Sequence, residues 1–222
     1  MPDIKLETHS KFDGYDISAC ALSSSLYVSN VCDGCIFKIP VNDPSEMTKW
    51  LTNVLHPPWT MSVSRCSGDV LIARNGEPPG LELYNSKAEK INSVLLASDA
   101  LTPRHAVTTS TGRFIVIHKW RDGGSWGLSE VNREGETVRC FKQAMTSKSL
   151  GNPCHLALDH DDRLLVLDQM KKEVVRFDRD LKWQDIILTK DDITQPLRLW
   201  YDKESRQMAV CQENGSVGIY SI

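Results

Sequence analysis

The chain has 222 residues, 25% of them charged, and a formal net charge of −3. This length suits one large domain or two small ones, and the near-neutral charge does not indicate an overall basic nucleic-acid binder. No apolar run is long enough to span a membrane, and the polar N-terminus lacks the apolar region of a secretory signal. The seven cysteines are scattered and odd in number, which is typical of reduced thiols, so we expect a cytoplasmic protein.

The sequence contains a repeat with a period of about 45 residues. Five similar segments start the units: "YDISAC" at Tyr15, "WTMSVS" at Trp59, "RHAVTT" at Arg104, "CHLALD" at Cys154 and "LRLWYD" at Leu197. A turn rich in Gly, Asp and Ser follows each segment, and further short apolar runs such as "LLVLD" and "VVRFD" come next. This pattern predicts short antiparallel strands joined by hairpins, with little helix.

Four strands per unit at this period are typical of a β-propeller, in which neighbouring blades bury each other's faces around a central channel. We therefore expect one all-β propeller domain of four-stranded antiparallel blades. The five units span about 12–54, 55–101, 102–150, 151–194 and 195–222. The last unit ends one strand short, and we expect the strand-like segment 3–9 to complete it or to end another blade, which would hide a sheet edge.

The repeat resembles that of NHL-repeat β-propellers. The unit "NPCHLALDHDDRLLVLDQMKKEVVRFDRDL" matches best, with a proline-led first strand, an Asp-rich turn and a short strand ending in V-x-x-F-D. The order of motifs along the chain is similar to NHL-like proteins of marine invertebrates, whose relatives often form the C-terminal part of tripartite-motif proteins. Such propellers usually have six blades, so the chain is expected to be five-bladed or to lack a first blade.

The resemblance implies a non-catalytic recognition platform, the substrate-recognition part of a ubiquitin-ligase system. The RING and B-box zinc modules that would carry ligase activity have no counterpart in this sequence. We therefore expect that the chain itself is not an enzyme.

One face of the predicted propeller is rich in cationic and aromatic residues. Ligands normally bind where segments lead into the first strands and where loops follow the second strands. The candidate ligand-binding residues at these positions are Tyr15, Trp59, Arg74, Arg104, His105, His118, Lys119, Trp120, Arg121, His155, Asp168 and Arg198. The segment 119–127, "KWRDGGSWG", is a candidate recognition loop because it combines two tryptophans with two adjacent glycines.

Two ligand classes suit this face. A protein partner, such as an acidic peptide, is expected first. Single-stranded RNA is the second candidate, because Arg and Lys bind phosphates while aromatic rings stack on bases. No DNA or membrane partner is expected. The structural alternative is that these cations pair with carbonyls and carboxylates around the channel.

A metalloenzyme is the alternative hypothesis. His105 and His155 occupy equivalent positions in successive units, and His118 ends the second strand beside His105. Three histidines facing a channel could bind zinc, as in channel enzymes of the gluconolactonase and amidating-lyase types, whose architecture is similar. Arg104 and Arg198 would place positive charge beside the metal, and the one close cysteine pair, Cys32 and Cys35, has no second pair at zinc spacing. We therefore expect no metal, no cofactor and no catalytic residues.

Overall fold

The computed structural model describes residues 14–30, 34–52, 60–142 and 148–222. The first sheet consists of β1 (Gly14–Cys20), β2 (Ser25–Asn30), β3 (Cys35–Pro40) and β4 (Thr48–Thr52). The second consists of β5 (Met61–Val63), β6 (Val70–Arg74), β7 (Gly80–Tyr84) and β8 (Lys90–Leu95). The third consists of β9 (Ala100–Thr108), β10 (Phe114–Trp120), β11 (Trp126–Val131) and β12 (Thr137–Lys142).

The fourth sheet consists of β13 (Pro153–Leu158), β14 (Leu164–Asp168), β15 (Glu173–Phe177) and β16 (Trp183–Leu188). The fifth consists of β17 (Pro196–Asp202), β18 (Gln207–Gln212) and β19 (Val217–Ser221). Every sheet is antiparallel, and its strands lie in chain order. Within the described ranges the one helical segment is a 3₁₀ turn at Pro44–Glu46, and no helix there is long and apolar enough to cross a bilayer.

Asparagine and aspartate side chains close the tight turns between the outer strands. The Asn85 side chain accepts hydrogen bonds from the N–H groups two and four residues further on, at 2.9 and 3.0 Å. Asn132 and Asp178 repeat this arrangement in the next two sheets. Because these side chains satisfy the turn backbone locally, the hairpins form at the positions that the sequence marks with Asn and Asp.

The core lies between neighbouring sheets. The middle strand β14, "LLVLD", is completely buried, because its two faces pack against different blades. Leu164 and Val166 contact the third sheet's core, whereas Leu165 and Leu167 contact the core shared with the fifth sheet. Burial on both faces explains why this strand is apolar throughout instead of alternating.

The five sheets form a ring, which confirms the predicted β-propeller and shows that it is five-bladed over the described residues. The innermost strands pack in sequence, β1 on β5, β5 on β9, β9 on β13 and β13 on β17. A contact between Arg198 on β17 and Asp16 on β1 connects the last blade to the first. The fifth sheet has three described strands where the others have four, and the segment 3–9 that was expected to complete it lies outside the described residues.

Candidate functional site

The central channel contains a cavity of about 420 Å³. All five innermost strands line it, mainly with apolar side chains such as Ile17, Val107 and Trp200. His155 and Arg198 lie near the beginnings of β13 and β17, and His105 on β9 lies against His155. Charged residues also lie beyond the ends of the same strands, namely Arg65, Asp162 and Lys203. The cavity is therefore apolar in its middle and polar towards both ends.

Five equivalent residues, one from each blade, surround the first of these ends; we call them the channel ring: Asp16, Thr60, His105, His155 and Arg198. The strand register shifts immediately before three of them, Asp16, His155 and Arg198. Such bulges turn the following side chain, so the same backbone irregularity directs equivalent residues of different blades towards the channel.

Most of the channel ring satisfies backbone groups of the next blade. Asp16 Oδ2 accepts a hydrogen bond from the Met61 N–H at 2.8 Å, and Thr60 Oγ1 donates to the Arg104 carbonyl. Arg198 Nε donates to Asp16 Oδ1 at 2.7 Å. The innermost strands have no neighbouring strand on the channel side, so such side chains provide partners for their backbone groups.

His105 also follows this pattern. Its Nδ1 accepts a hydrogen bond from the Leu156 N–H on the next blade at 3.2 Å. The ring is 1% exposed, and burial lowers the pKa of His105 well below its ordinary value; the charges of His155 and Arg198 act in the same direction. A neutral imidazole that accepts at Nδ1 carries its proton at Nε2. His105 Nε2–H is therefore a buried donor, and it has no hydrogen-bond partner.

His155 differs from the other four members of the channel ring. Both of its ring nitrogens are covered from solvent and lack a hydrogen-bond partner. Nε2 lies 3.7 Å from Asp16 Oδ1, and the ring stacks on His105 with a centroid distance of 3.8 Å. Several other buried polar atoms among the described residues also lack a hydrogen-bond partner, but His155 differs from those residues because both of its polar atoms lack one.

The Asp16 carboxylate is ionised. Burial by itself would raise the pKa of Asp16, but His155, Arg198 and His105 together lower it to about 2. The site therefore holds one carboxylate charge next to the Arg198 guanidinium, with the neutral His105 beside them.

The geometry could suggest a metal site, because ligand atoms of Asp16, His105 and His155 all lie within 4.8 Å of one another. The hydrogen bond from Leu156 opposes this interpretation, since it leaves a proton, not a lone pair, on His105 Nε2. The guanidinium of Arg198 at 2.7 Å from Asp16 also opposes a cation.

The three-histidine set of the metalloenzyme hypothesis was wrong. His118 lies on β10, where Nε2 is 2.8 Å from Ser129 Oγ and Nδ1 is 3.1 Å from the Lys119 carbonyl. Its side chain makes both of these contacts within its own blade, and Asp16 joins the two other histidines instead. Of the close cysteine pair, Cys35 is buried in β3, and Cys32 lies outside the described residues.

Some predicted cationic residues meet at the rim of the channel. Arg104 Cζ lies 5.3 Å and Lys119 Nζ 5.0 Å from the centroid of the Trp126 ring. Arg104 also donates to Asn152 Oδ1 and to the Pro153 carbonyl. We call Arg104, Lys119 and Trp126 the rim cluster.

The expected recognition loop is shorter than the segment 119–127, because β10 and β11 remain paired as far as Lys119 and Trp126. Trp120 is buried, and Lys142 Nζ lies 4.1 Å from its ring centroid. Arg121 Nε donates to the Ser98 carbonyl at 3.0 Å. These two residues thus take part in packing and in a backbone contact within the fold.

Two further candidates have structural partners. The buried carboxylate of Asp168 accepts hydrogen bonds from the Gly151 and Asn152 N–H groups at 2.5 and 3.0 Å, which shapes the segment before β13. Arg74 Nε lies 3.9 Å from Glu82 Oε1 on the neighbouring strand. Trp59 and the side chain of Tyr15 lie outside the described residues.

No protein-family model and no curated protein matches the chain. Solved structures with a similar fold include a protein of unknown function from Bacteroides caccae, with a TM-score of 0.65 and 13% identity over 90% of this chain and 70% of that one. A streptogramin B lyase has a TM-score of 0.61 and 13% identity over 95% of this chain and 69% of that one. Virginiamycin B lyase from Staphylococcus aureus has a TM-score of 0.56 and 12% identity over 97% of this chain and 86% of that one. These likenesses show a β-propeller fold, and the NHL relationship stays a prediction.

Proposed function

We propose that this chain is a ligand-binding propeller that holds a small, mainly apolar molecule in its central channel. The observation that carries this proposal is the cavity of about 420 Å³ with the unpartnered imidazole of His155 at its wall. Small-molecule sites are typically apolar clefts of roughly 300–1,000 Å³ with a few convergent polar groups. The cavity has that size and that distribution of side chains.

The lining indicates the chemistry of the ligand. Apolar side chains of β1, β9 and β17 surround the middle of the cavity, so the body of the ligand is expected to be apolar and compact. A polar atom of the ligand would lie at the channel ring, near His155. A catalytically inactive virginiamycin B lyase from Staphylococcus aureus, which has this fold, was solved with quinupristin. That finding concerns the other protein, and it shows only that a propeller of this fold can bind an organic ligand.

Isothermal titration calorimetry with 5-nitrobenzotriazole tests the proposal, because this compact aromatic molecule has both hydrogen-bond donors and acceptors. We expect one site per chain. Ser62→Phe places a ring in the cavity and should weaken binding at least tenfold, whereas Ser93→Phe on the outer strand β8 should leave it unchanged. No binding to the wild type, or equal binding by both variants, contradicts the proposal.

The rim cluster supports a second candidate function, recognition of an acidic protein segment. Arg104 and Lys119 both lie near the Trp126 ring, so this rim combines two positive charges with an aromatic surface. The two cations take up space beside the ring that a stacked base would need, which favours an acidic peptide over single-stranded RNA. In a ubiquitin-ligase assembly, as the NHL resemblance implies, the rim would be the substrate-recognition surface.

Fluorescence anisotropy distinguishes these ligands. We expect a labelled oligoglutamate peptide to bind more tightly than oligouridine RNA, and Lys119→Ala to weaken the peptide complex. Lys87→Ala, on an exposed turn, is the matched control. Tight, steeply salt-dependent RNA binding that Lys119→Ala abolishes would instead favour the RNA ligand. An unchanged peptide affinity in Lys119→Ala would exclude the rim cluster.

A further inference from the structure

We propose that His155, positioned by Asp16, takes a proton from the molecule bound in the channel, which makes the channel an acid–base catalytic site. This inference rests on the proposed binding of a small molecule there. The reaction class is abstraction of a proton from carbon next to a carbonyl or similar electron-withdrawing group.

Hydrogen bonds to neighbouring blades explain the presence of the other members of the channel ring but not that of His155. Asp16, Thr60 and His105 each bind a backbone group of the following blade. Arg198 contacts Asp16 and so joins the last blade to the first. His155 occupies the same position in its blade, yet both of its nitrogens lack a hydrogen-bond partner. An imidazole without a structural hydrogen bond is available to act on a ligand.

Asp16 provides the support that a histidine base needs. Its ionised carboxylate lies 3.7 Å from His155 Nε2, so Nδ1 is the nitrogen left to accept a proton. When Nδ1 takes a proton, the nearby negative charge stabilises the imidazolium and favours a proton on Nε2. Distances between a base and its orienting group are often longer in the free protein than in the complex with substrate.

His105 provides the complementary donor. Its Nε2 makes no hydrogen bond of ordinary length, and its ring stacks on that of His155. A neutral imidazole donor can stabilise charge that develops on a substrate oxygen. In the proposed step the C–H bond breaks, the proton goes to His155 Nδ1, and the electron pair forms an enolate whose oxygen accepts from His105 Nε2–H. Return of the proton to the substrate regenerates both imidazoles.

Ligand binding must turn the His155 ring. The side chain lines the cavity, but its nitrogens are covered, so carbon atoms form the part that faces the cavity in the free protein. Turning the ring breaks no hydrogen bond, because neither nitrogen makes one, but it changes the 3.7 Å contact of Nε2 with Asp16 and the stacking on His105. The turn must therefore be small enough to keep Nε2 near the Asp16 carboxylate, and the binding of the ligand must offset its cost.

The Kemp elimination of 5-nitrobenzisoxazole tests this inference without knowledge of the natural substrate. A base removes the ring C–H proton, the freed electron pair forms the nitrile, and the N–O bond breaks to leave a coloured phenolate. We expect the full chain to accelerate this reaction and His155→Gln to lower kcat/KM by about 100-fold. His160→Gln, on the turn after β13, is the matched control and should retain the wild-type rate.

A second variant tests the positioning role of Asp16. Three charged or titratable groups surround His155 from other blades: Asp16 on β1, His105 on β9 and Arg198 on β17. Removing the negative charge in Asp16→Asn disfavours the imidazolium, so the midpoint of the pH–rate profile should move to lower pH. A purely structural role for Asp16 would lower the amount of folded protein without moving that midpoint.

The outcomes separate this inference from the proposed function. If the chain binds 5-nitrobenzotriazole but His155→Gln turns over the probe as fast as wild type, the proton-transfer role is overturned and channel binding stands. If neither binding nor turnover occurs, both are overturned. The result for His155→Gln counts only if the variant unfolds at the same temperature as the wild type. If it does not, His155→Asn is used instead, and the same loss of kcat/KM is expected.

Discussion

The imidazole rings of His105 and His155 stack with their centroids 3.8 Å apart, yet only His105 is held by a hydrogen bond from the backbone. The two residues occupy equivalent positions in neighbouring blades, so their proximity follows from the repeat. Their different bonding does not follow from it. The repeat brings the pair together, and the difference between the two environments makes His155 the candidate for function.

Acidification should destabilise the fold partly through His105. Because the pKa of His105 is lowered in the fold, below pH about 6.5 the unfolded chain binds a proton at this position that the folded chain does not. The free energy of unfolding therefore falls as the pH drops from 7 to 5. His105→Asn, which keeps an acceptor for the Leu156 N–H, should reduce this fall by about 2 kcal/mol. Urea unfolding at pH 7 and at pH 5 measures this change in the free energy of unfolding, with His160→Asn as the control. If His105→Asn loses as much stability between these pH values as the wild type, His105 is not the group responsible.

The contact between Arg198 and Asp16 should stabilise the closed ring. Arg198→Met leaves the buried Asp16 carboxylate without its guanidinium, which should lower the free energy of unfolding by about 3 kcal/mol. Asp16→Asn in the same chain removes the uncompensated charge, so the double variant should lose less than the sum of the single losses. Denaturant unfolding of the four proteins gives the coupling energy. Additive losses would show that the two side chains do not interact.

The segment around Trp120 should tolerate a methyl group at one glycine and not at another. A Cβ at Gly127 would collide with Trp120 Nε1 and lie 2.6 Å from the Phe141 carbonyl, whereas a Cβ at Gly123 meets nothing within 4 Å. We expect Gly127→Ala to lower stability by about 1–3 kcal/mol and to change the tryptophan fluorescence. Gly123→Ala should match the wild type. Equal stability of the two variants would contradict the close packing at Gly127.

Filling the cavity should stabilise the protein while it removes binding. Ser62 lines the cavity, and its buried hydroxyl lacks a partner. Ser62→Leu removes this polar group and adds apolar contacts, so we expect a gain of about 1 kcal/mol in the free energy of unfolding. Calorimetry should show that the variant no longer binds 5-nitrobenzotriazole. A destabilised variant would mean that the cavity cannot accept a larger side chain.

The strands could be predicted because their signals are local. The run "LLVLD" became β14 without change, and Asn132 closes the hairpin between β11 and β12. Apolar runs and turn residues act within a few positions of the chain, so a single sequence displays them directly. The same alignment of units placed His105 and His155 at equivalent positions.

The hydrogen bonds of the site could not be predicted in this way. The hydrogen bond of His105 with the Leu156 N–H, and the lack of one at the His155 nitrogens, depend on distances between blades, which are set by bulges and interblade packing. Asp16 was visible as an aligned position, but its contact with Arg198 joins opposite ends of the chain. Trp120 was expected at a binding surface and is buried instead, because apolar and aromatic side chains near a loop give no local sign of the side they face.

A crystal structure of the chain with 5-nitrobenzotriazole tests the central claim, that the channel is the ligand site and His155 its polar contact. We expect the molecule inside the cavity, with a nitrogen within hydrogen-bonding distance of a turned His155 ring. The claim would be contradicted if the molecule bound only at the rim cluster or on the outer surface, with the channel unoccupied and the His155 ring in its original position.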